Sequence, residues 1–410
     1  MKRATIILSL CCVILAARAI AQDSAPVASA PPEPAQVDAP VTVTSTEWDE
    51  VEILGRRIKP GDKRRLFLRS SESFAGSDVD VPVLVTRGAT PGPTVCLVAG
   101  VHGDELNGIE IVRKVVEGLT PRRISGMVLA VPVANLHGFR RSSRYLPDRR
   151  DLNRFFPGTA SGSSASRIAF TLWHDVVRHC DSLVDLHTGS FHRTNLPQVR
   201  TDATDPRSLA LARGFGNALV IHDPGQAGTL RRAAREAGLG AITYEAGEPL
   251  RFQENEIARG VEGVRNIMAS LSMSDDAPVA FSPRIYQRTR WVRVDDGGIF
   301  FTRRRLGEIV QPGDLLGTVT DPVTNERKRV EAPFRGRIIG MAVPQVVIPG
   351  YAAFHLGVDA PQALAEAETP VPTDGSAELD PEAGAKSGDA DAAESPLEAE
   401  REIDPEEAPE

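Results

Sequence analysis

Three side chains, His102, Glu105 and His187, carry the first chemistry legible in this chain. His102 and Glu105 stand three apart in LVAGVHGDELNG, residues 97–108, where an apolar run from Val95 to Val101 stops and a helical pattern begins. A loop at that junction turns both side chains toward one point, and Gly103 lets the backbone turn tightly. One histidine and one glutamate do not make a metal site. A third ligand is expected, and VDLHTGS supplies His187 at the end of another apolar run. Two histidines and a glutamate are a catalytic zinc set, because three protein ligands leave a coordination position open. Each residue alone would be an ordinary solvated strand end; the combination points to one zinc ion per chain. Asp185, two residues before His187, faces the same way on a strand and is placed to orient its imidazole.

A zinc hydrolase also needs a base that takes a proton from water and passes it to the leaving amine. AITYEAGE offers Glu245 at the end of a third apolar run, with Glu248 as a neighbour. Glu245 is the choice because it lies closest to the apolar segment, where desolvation raises a carboxyl pKa toward working pH. The loop SSRYLPDRRDLNRFFPG is crowded with Arg144, Arg149, Arg150 and Arg154, beside Asn153. Phe155 and Phe156 follow at once and are expected to bury the arginine stem and fix its guanidinium. A fixed guanidinium suits bidentate binding of a carboxylate. The expected partner is therefore a small anionic amide, not nucleic acid.

The elements that must hold these residues alternate between apolar strands and amphipathic helices. Strand patterns at TVCLVAGV, GMVLAVPVAN, DSLVDLHTGS, NALVIHD and AITYEAG are separated by helical patterns over residues 105–119, 163–180, 229–238 and 254–271. The fold class expected is α/β: a mixed, largely parallel sheet flanked by helices, with ligands at the carboxyl ends of the strands. From about Pro278 to Val358 the texture changes to short strands punctuated by Gly, Pro and Asp, read as a separate small all-β module.

The ends read differently. MKRATIILSLCCVILAARAIAQ has a basic start (Lys2, Arg3), an apolar stretch and the small-x-small pattern Ala19-Ile20-Ala21. That is the signature of a secretory signal peptide, too short to span a bilayer comfortably, so the protein is expected to be exported, to the periplasm. Beyond residue 359 the chain carries 16 acidic residues against 2 basic ones and almost no large apolar side chains, the composition of a disordered tail. The resulting layout is signal peptide 1–21, flexible linker 22–46, catalytic domain 47–277, β module 278–358 and acidic tail 359–410. Only Cys96 and Cys180 remain after cleavage; both sit in apolar segments and are read as buried free thiols, a disulfide being the lesser reading.

Together GVHGDELNG, DLNRFFPG, DLHTGS and TYEAG resemble the succinylglutamate desuccinylase/aspartoacylase family, zinc deacylases related to the zinc carboxypeptidases. The resemblance covers residues 81–358, and four motifs in order make it specific. It implies that His102, Glu105 and His187 hold zinc, that Glu245 is the general base, and that Asn153 and Arg154 grip the substrate. It also implies a further substrate arginine upstream. The spacing differs here, so Arg144, Arg149 and Arg150 are candidates, with Arg144 counted among the expected substrate-binding residues. The β module resembles the lipoyl/biotinyl-like domain of such deacylases, but Thr320-Asp321-Pro322 stands where a carrier would need Thr-Asp-Lys. It is read as a cover shaping the entrance. The function expected is a deacylase cleaving an N-acyl amino acid or related anionic amide; the alternative is a periplasmic zinc carboxypeptidase or amidase acting on peptides. A catalytically silent zinc-binding protein would lack a ligand or the base, and neither is missing.

Overall fold

The computed structural model describes residues 50–69 and 80–358. The expected signal peptide, linker and acidic tail lie outside them. A hairpin of β1 (Val51–Ile53) and β2 (Arg56–Ile58) precedes β3 (Lys63–Arg69), β4 (Asp80–Arg87) and β5 (Thr90–Ala99). Then come α1 (Leu106–Gly118), β6 (Ser125–Val131), α2 (Leu136–Arg140), α3 (Ser164–Asp175) and β7 (Ser182–His187). β8 (Arg193–Thr201), α4 (Pro206–Phe215), β9 (Leu219–His222), α5 (Leu230–Glu236), β10 (Gly240–Gly247) and α6 (Glu254–Ser270) follow. The remaining elements are all strands: β11 (Ile285–Tyr286), β12 (Arg288–Arg293), β13 (Gly298–Thr302), β14 (Ile309–Val310), β15 (Leu315–Thr320), β16 (Arg327–Glu331), β17 (Gly336–Ala342), β18 (Gln345–Val347) and β19 (Ala352–Val358).

The large sheet runs β12-β19-β17-β8-β10-β7-β5-β6-β4-β3. Its centre, β10, β7, β5 and β6, is parallel, and the antiparallel β8 and β4 flank it. The sheet is thus mixed with a parallel heart, as the alternation of strands and helices requires. Alternation along each central strand feeds two cores. Val95, Leu97 and Ala99 of β5 pack with α1, α4 and α6, while Cys96 and Val98 pack with α3, α5 and the β1–β2 hairpin. Leu183 of β7 and Ala241 of β10 face the α3 side, so Asp185, His187 and Glu245, at even spacings from them, face it too.

Local signals set the helix ends. Ser163 and Thr229 cap α3 and α5, their hydroxyls accepting from the amides of Ser166 and Arg232. α3 ends at Asp175, short of the expected Cys180, and a 3₁₀ turn over Val177–His179 follows. β1–β4, α2, α4 and β8 escape sequence patterning, and Pro197 interrupts the alternation of β8. The C-terminal strands divide. β13, β15, β16 and β18 form their own sheet, whereas β17 pairs with β8 and carries β19 and β12 onto the large sheet. The expectation of free thiols is overturned: Cys96 and Cys180 form a disulfide. Strand β5 and the turn before β7 bring the two together inside the α3-side core. Among the described residues no helix is long and apolar enough to cross a membrane.

Candidate active site

β5 ends at Ala99 and α1 begins at Leu106, with His102 in the connecting turn and Glu105 at the helix N-cap. Gly103 is needed there for a closer reason than flexibility. A Cβ at this position would lie 2.0 Å from the carbonyl carbon of Gly138, so the turn sits directly on α2. β7, next to β5, ends in His187. Both histidines and Glu105 are buried.

The three ligand candidates converge. His102 Nδ1 lies 2.8 Å from Glu105 Oε1, His187 Nδ1 lies 2.7 Å from Glu105 Oε2, and the two Nδ1 atoms are 3.2 Å apart. Thr188 N and Ser190 Oγ donate to the same carboxylate at 3.1 Å each. The outward Nε2 atoms face carboxylates. Asp151 Oδ1 is 3.1 Å from that of His102, and Asp185 Oδ1 is 3.0 Å from that of His187, an ion-pair contact whose angle falls short of a hydrogen bond. Protons drawn to the Nε2 positions leave the Nδ1 lone pairs facing each other and Glu105, an arrangement a cation would satisfy. Among the described residues this is the one group of side chains spaced to hold a metal ion.

The electrostatics follow from burial and proximity. Burial alone would raise the Glu105 pKa, but the adjacent His102 and His187 hold it well below the usual carboxylate range. For His187 burial opposes the charge, yet Asp185 and Glu105 raise its pKa well above the ordinary imidazole value. Asp104 is pushed up to about 6 by burial and then by the Glu105 charge.

Arg144 enters this cluster. Its NH1 donates to Glu105 Oε1 at 3.2 Å and to Ser190 Oγ at 2.7 Å and lies 3.2 Å from His102 Nδ1, while NH2 donates to Asp151 Oδ2 at 2.9 Å. Of the three candidate arginines upstream of Asn153, Arg144 is the one brought to the His102, Glu105 and His187 cluster; Arg149 and Arg150 are exposed. The Arg150 guanidinium lies 6.0 Å from the centroid of the Phe155 ring. Arg154 NH1 donates to Asn153 O at 2.9 Å. Asn153 Oδ1 accepts from Leu230 N at 2.8 Å, which leaves Nδ2 as the group it can offer a substrate.

Glu245 stands opposite His187 in the parallel β10–β7 ladder. Asn195 Nδ2 and Gln198 Nε2 donate to its Oε2 at 2.6 and 3.4 Å, and Arg200 Nε is 3.2 Å from Oε1. All three are supplied by β8, a strand that sequence patterning missed. Glu248 is engaged elsewhere, paired with Arg251 at 2.7 Å. Sequence reasoning also overlooked Asp151 and Ser190, although both lie inside quoted motifs, DLNRFFPG and DLHTGS. An acid two residues ahead of an Asn-Arg pair was the available signal.

Fold and site together define a class: α/β proteins carrying a buried His-Glu-His set at the carboxyl ends of adjacent parallel strands. Comparison with known proteins shows what the chain resembles. Residues 91–271 match the model of the succinylglutamate desuccinylase/aspartoacylase catalytic domain. It is 26% identical over 265 residues to an N-alpha-acetyl-L-2,4-diaminobutyric acid deacetylase of Halomonas elongata, covering 62% of this chain and 77% of that one. It is 29% identical over 203 residues to a succinylglutamate desuccinylase of Yersinia pseudotuberculosis, covering 44% and 60%. The chain thus spans about three fifths of that desuccinylase. Among solved structures, a succinylglutamate desuccinylase/aspartoacylase from Rhodobacter sphaeroides superposes with a TM-score of 0.66 at 24% identity, over 74% of this chain and 98% of that one. The product-bound ectoine utilization protein EutE (DoeB) from Ruegeria pomeroyi gives 0.67 at 24% identity, over 73% and 97%. At that identity the likeness is one of fold.

Proposed function

We propose that this chain is a zinc-dependent amidohydrolase that removes the acyl group from a small anionic N-acyl amino acid or related amide, with Glu245 as general base. The observation that carries this reading is the convergence of His102, Glu105 and His187 in a buried site beside Glu245. His102 and His187 through Nδ1, and Glu105 through its carboxylate, would hold the ion. When bound, zinc supplies a Lewis acid that polarises the scissile carbonyl and makes water acidic enough to react near neutral pH.

The chain's own residues do the rest. Asp151 and Asp185 orient the imidazoles. Arg144, with Arg154 and the Asn153 amide beside it, receives the anionic end of the substrate and fixes where its amide lies. Glu245, steadied by Asn195 and Arg200, takes the proton of the attacking water and returns it to the departing amine. The deacetylase and desuccinylase names of the relatives support an N-acyl amino acid as the substrate class.

We further read the chain as exported. The basic, apolar, small-x-small order of residues 2–21 supports this, and so does the Cys96–Cys180 disulfide, since such bonds persist in oxidising compartments. N-terminal sequencing of the protein from a periplasmic extract should begin at Gln22.

A substrate screen of the zinc-loaded protein, read by mass spectrometry, tests the activity. Acylated amino acids should be split into free acid and amine. Hydrolysis confined to peptides with a free carboxylate would replace the deacylase by the zinc carboxypeptidase or amidase alternative. Bound zinc far below one ion per chain would remove the basis of both.

A further inference from the structure

The turn between His187 and β8 is held from the C-terminal strands. Phe191 and His192 have φ of 52° and 55°, the left-handed region in which side chains crowd the backbone and paired turn positions favour glycine or asparagine. Arg193 N donates to Ser190 O at 3.1 Å and closes the turn. Such a conformation persists only where the surroundings impose it. Here Tyr351 Oη donates to Phe191 O at 2.6 Å. Gln345 Nε2 and Val343 N donate to His192 O at 2.8 and 3.0 Å. Arg193 donates from Nε to Ala352 O at 2.8 Å, and its guanidinium lies 4.6 Å from the Tyr351 ring and 5.1 Å from that of Trp291. The other face of the turn meets the active site. Ser190 Oγ accepts from Arg144 NH1 and donates to Glu105, and the Arg144 guanidinium lies 5.1 Å from the Phe191 ring.

We infer that Tyr351 and Gln345 are positioning residues for catalysis: by clasping the carbonyls of Phe191 and His192 they hold a left-handed turn whose Ser190 and Phe191 set the Arg144 guanidinium for an anionic substrate. The C-terminal strands therefore complete the site. This rests on the reading of Arg144 as the substrate anchor. The clasp itself is visible in the chain's own hydrogen bonds.

The test compares the full chain, supplied with zinc, with Tyr351→Phe, which keeps the ring beneath Arg193 and removes only the hydroxyl, and with Tyr351→Phe/Gln345→Ala. Hydrogen exchange at the Arg193 amide should quicken about tenfold in the double variant. KM for an acylated amino acid should rise about fivefold or more while kcat stays within about twofold, as expected when one or two hydrogen bonds that preorganise ground-state binding are lost. Loss of folded protein would instead lower kcat and leave KM alone. Unchanged exchange at Arg193 in both variants, or an unchanged KM, overturns the inference. If the unsubstituted protein splits no amide, the proposed function fails and the exchange measurement alone decides whether the clasp exists.

Discussion

At the scale of single residues, the site separates groups that would hold the metal from the one that would move protons. His187 is both a ligand candidate and part of a buried charge cluster with Glu105 and Asp185. His187→Ala should therefore lose zinc and activity together, which elemental analysis beside an activity assay will show. Glu245 lies across the ladder from His187 and donates no ligand atom to the converging set. Glu245→Gln should keep zinc at the unsubstituted level and lower kcat by at least about two orders of magnitude, the usual worth of a general base. A fully active Glu245→Gln enzyme would move that role to another group. These ligand candidates were legible in the sequence because His102 and His187 close apolar runs, where the chain must leave the core, and Glu105 follows His102 by three residues. Asp151, Ser190 and Arg144 were harder to read. Their places depend on how a loop folds back over the strand ends, and neither periodicity nor spacing encodes that.

At the scale of elements, the site depends on close backbone contacts. A Cβ at Gly103 would meet α2 at Gly138 and Phe139, backbone atoms that cannot swing aside. Gly103→Ala should cost about 1–3 kcal/mol of stability, the range for overpacking. Zinc binding should weaken in the same variant, because the turn it displaces carries both His102 and Glu105. Urea unfolding and metal titration would measure the two effects. Strand β5 is also tied by the Cys96–Cys180 disulfide, across a sequence separation of 84 residues. Replacing both cysteines by alanine should lower the unfolding free energy by about 2–4 kcal/mol, mainly by freeing the unfolded chain. An unchanged urea midpoint would show that the bond contributes nothing. α1, α3, α5 and α6 were readable from their helical patterns, whereas α2 and α4 were not. β8 was not, because Pro197 breaks the alternation and its exposed-looking residues, Asn195, Gln198 and Arg200, are polar for the sake of Glu245.

At the scale of the whole molecule, β8 joins the catalytic strands to the C-terminal ones, and polar groups are buried along that junction. His355 of β19 stacks on Trp291, with 4.2 Å between ring centroids, and its Nδ1 has no hydrogen-bond partner among the described residues. Burial, then the Arg200 and Arg193 charges, hold its pKa well below the ordinary value, against a smaller opposing pull from Asp223. The unfolded chain therefore takes up this proton first as pH falls. The stability from keeping His355 neutral is fully present above about pH 6.5 and declines below it, by up to about 1.4 kcal/mol per pH unit, until the folded state also titrates. His355→Phe keeps a ring against Trp291 and removes the titration. Its stability relative to the unsubstituted protein should rise between pH 7 and 5.5. A constant difference across that range would show that His355 does not titrate on unfolding.

The sequence by itself determined the alternating α/β order, most of the helices and the candidate ligand residues, because burial on a sheet face and departure from it leave a local pattern in residue type. Only the tertiary structure decided which arginine reaches the candidate ligands, that Cys96 meets Cys180, and that the C-terminal strands extend the large sheet and clasp its turn. Those outcomes depend on contacts between segments far apart in the chain, and a local pattern carries no record of which distant surface it will meet.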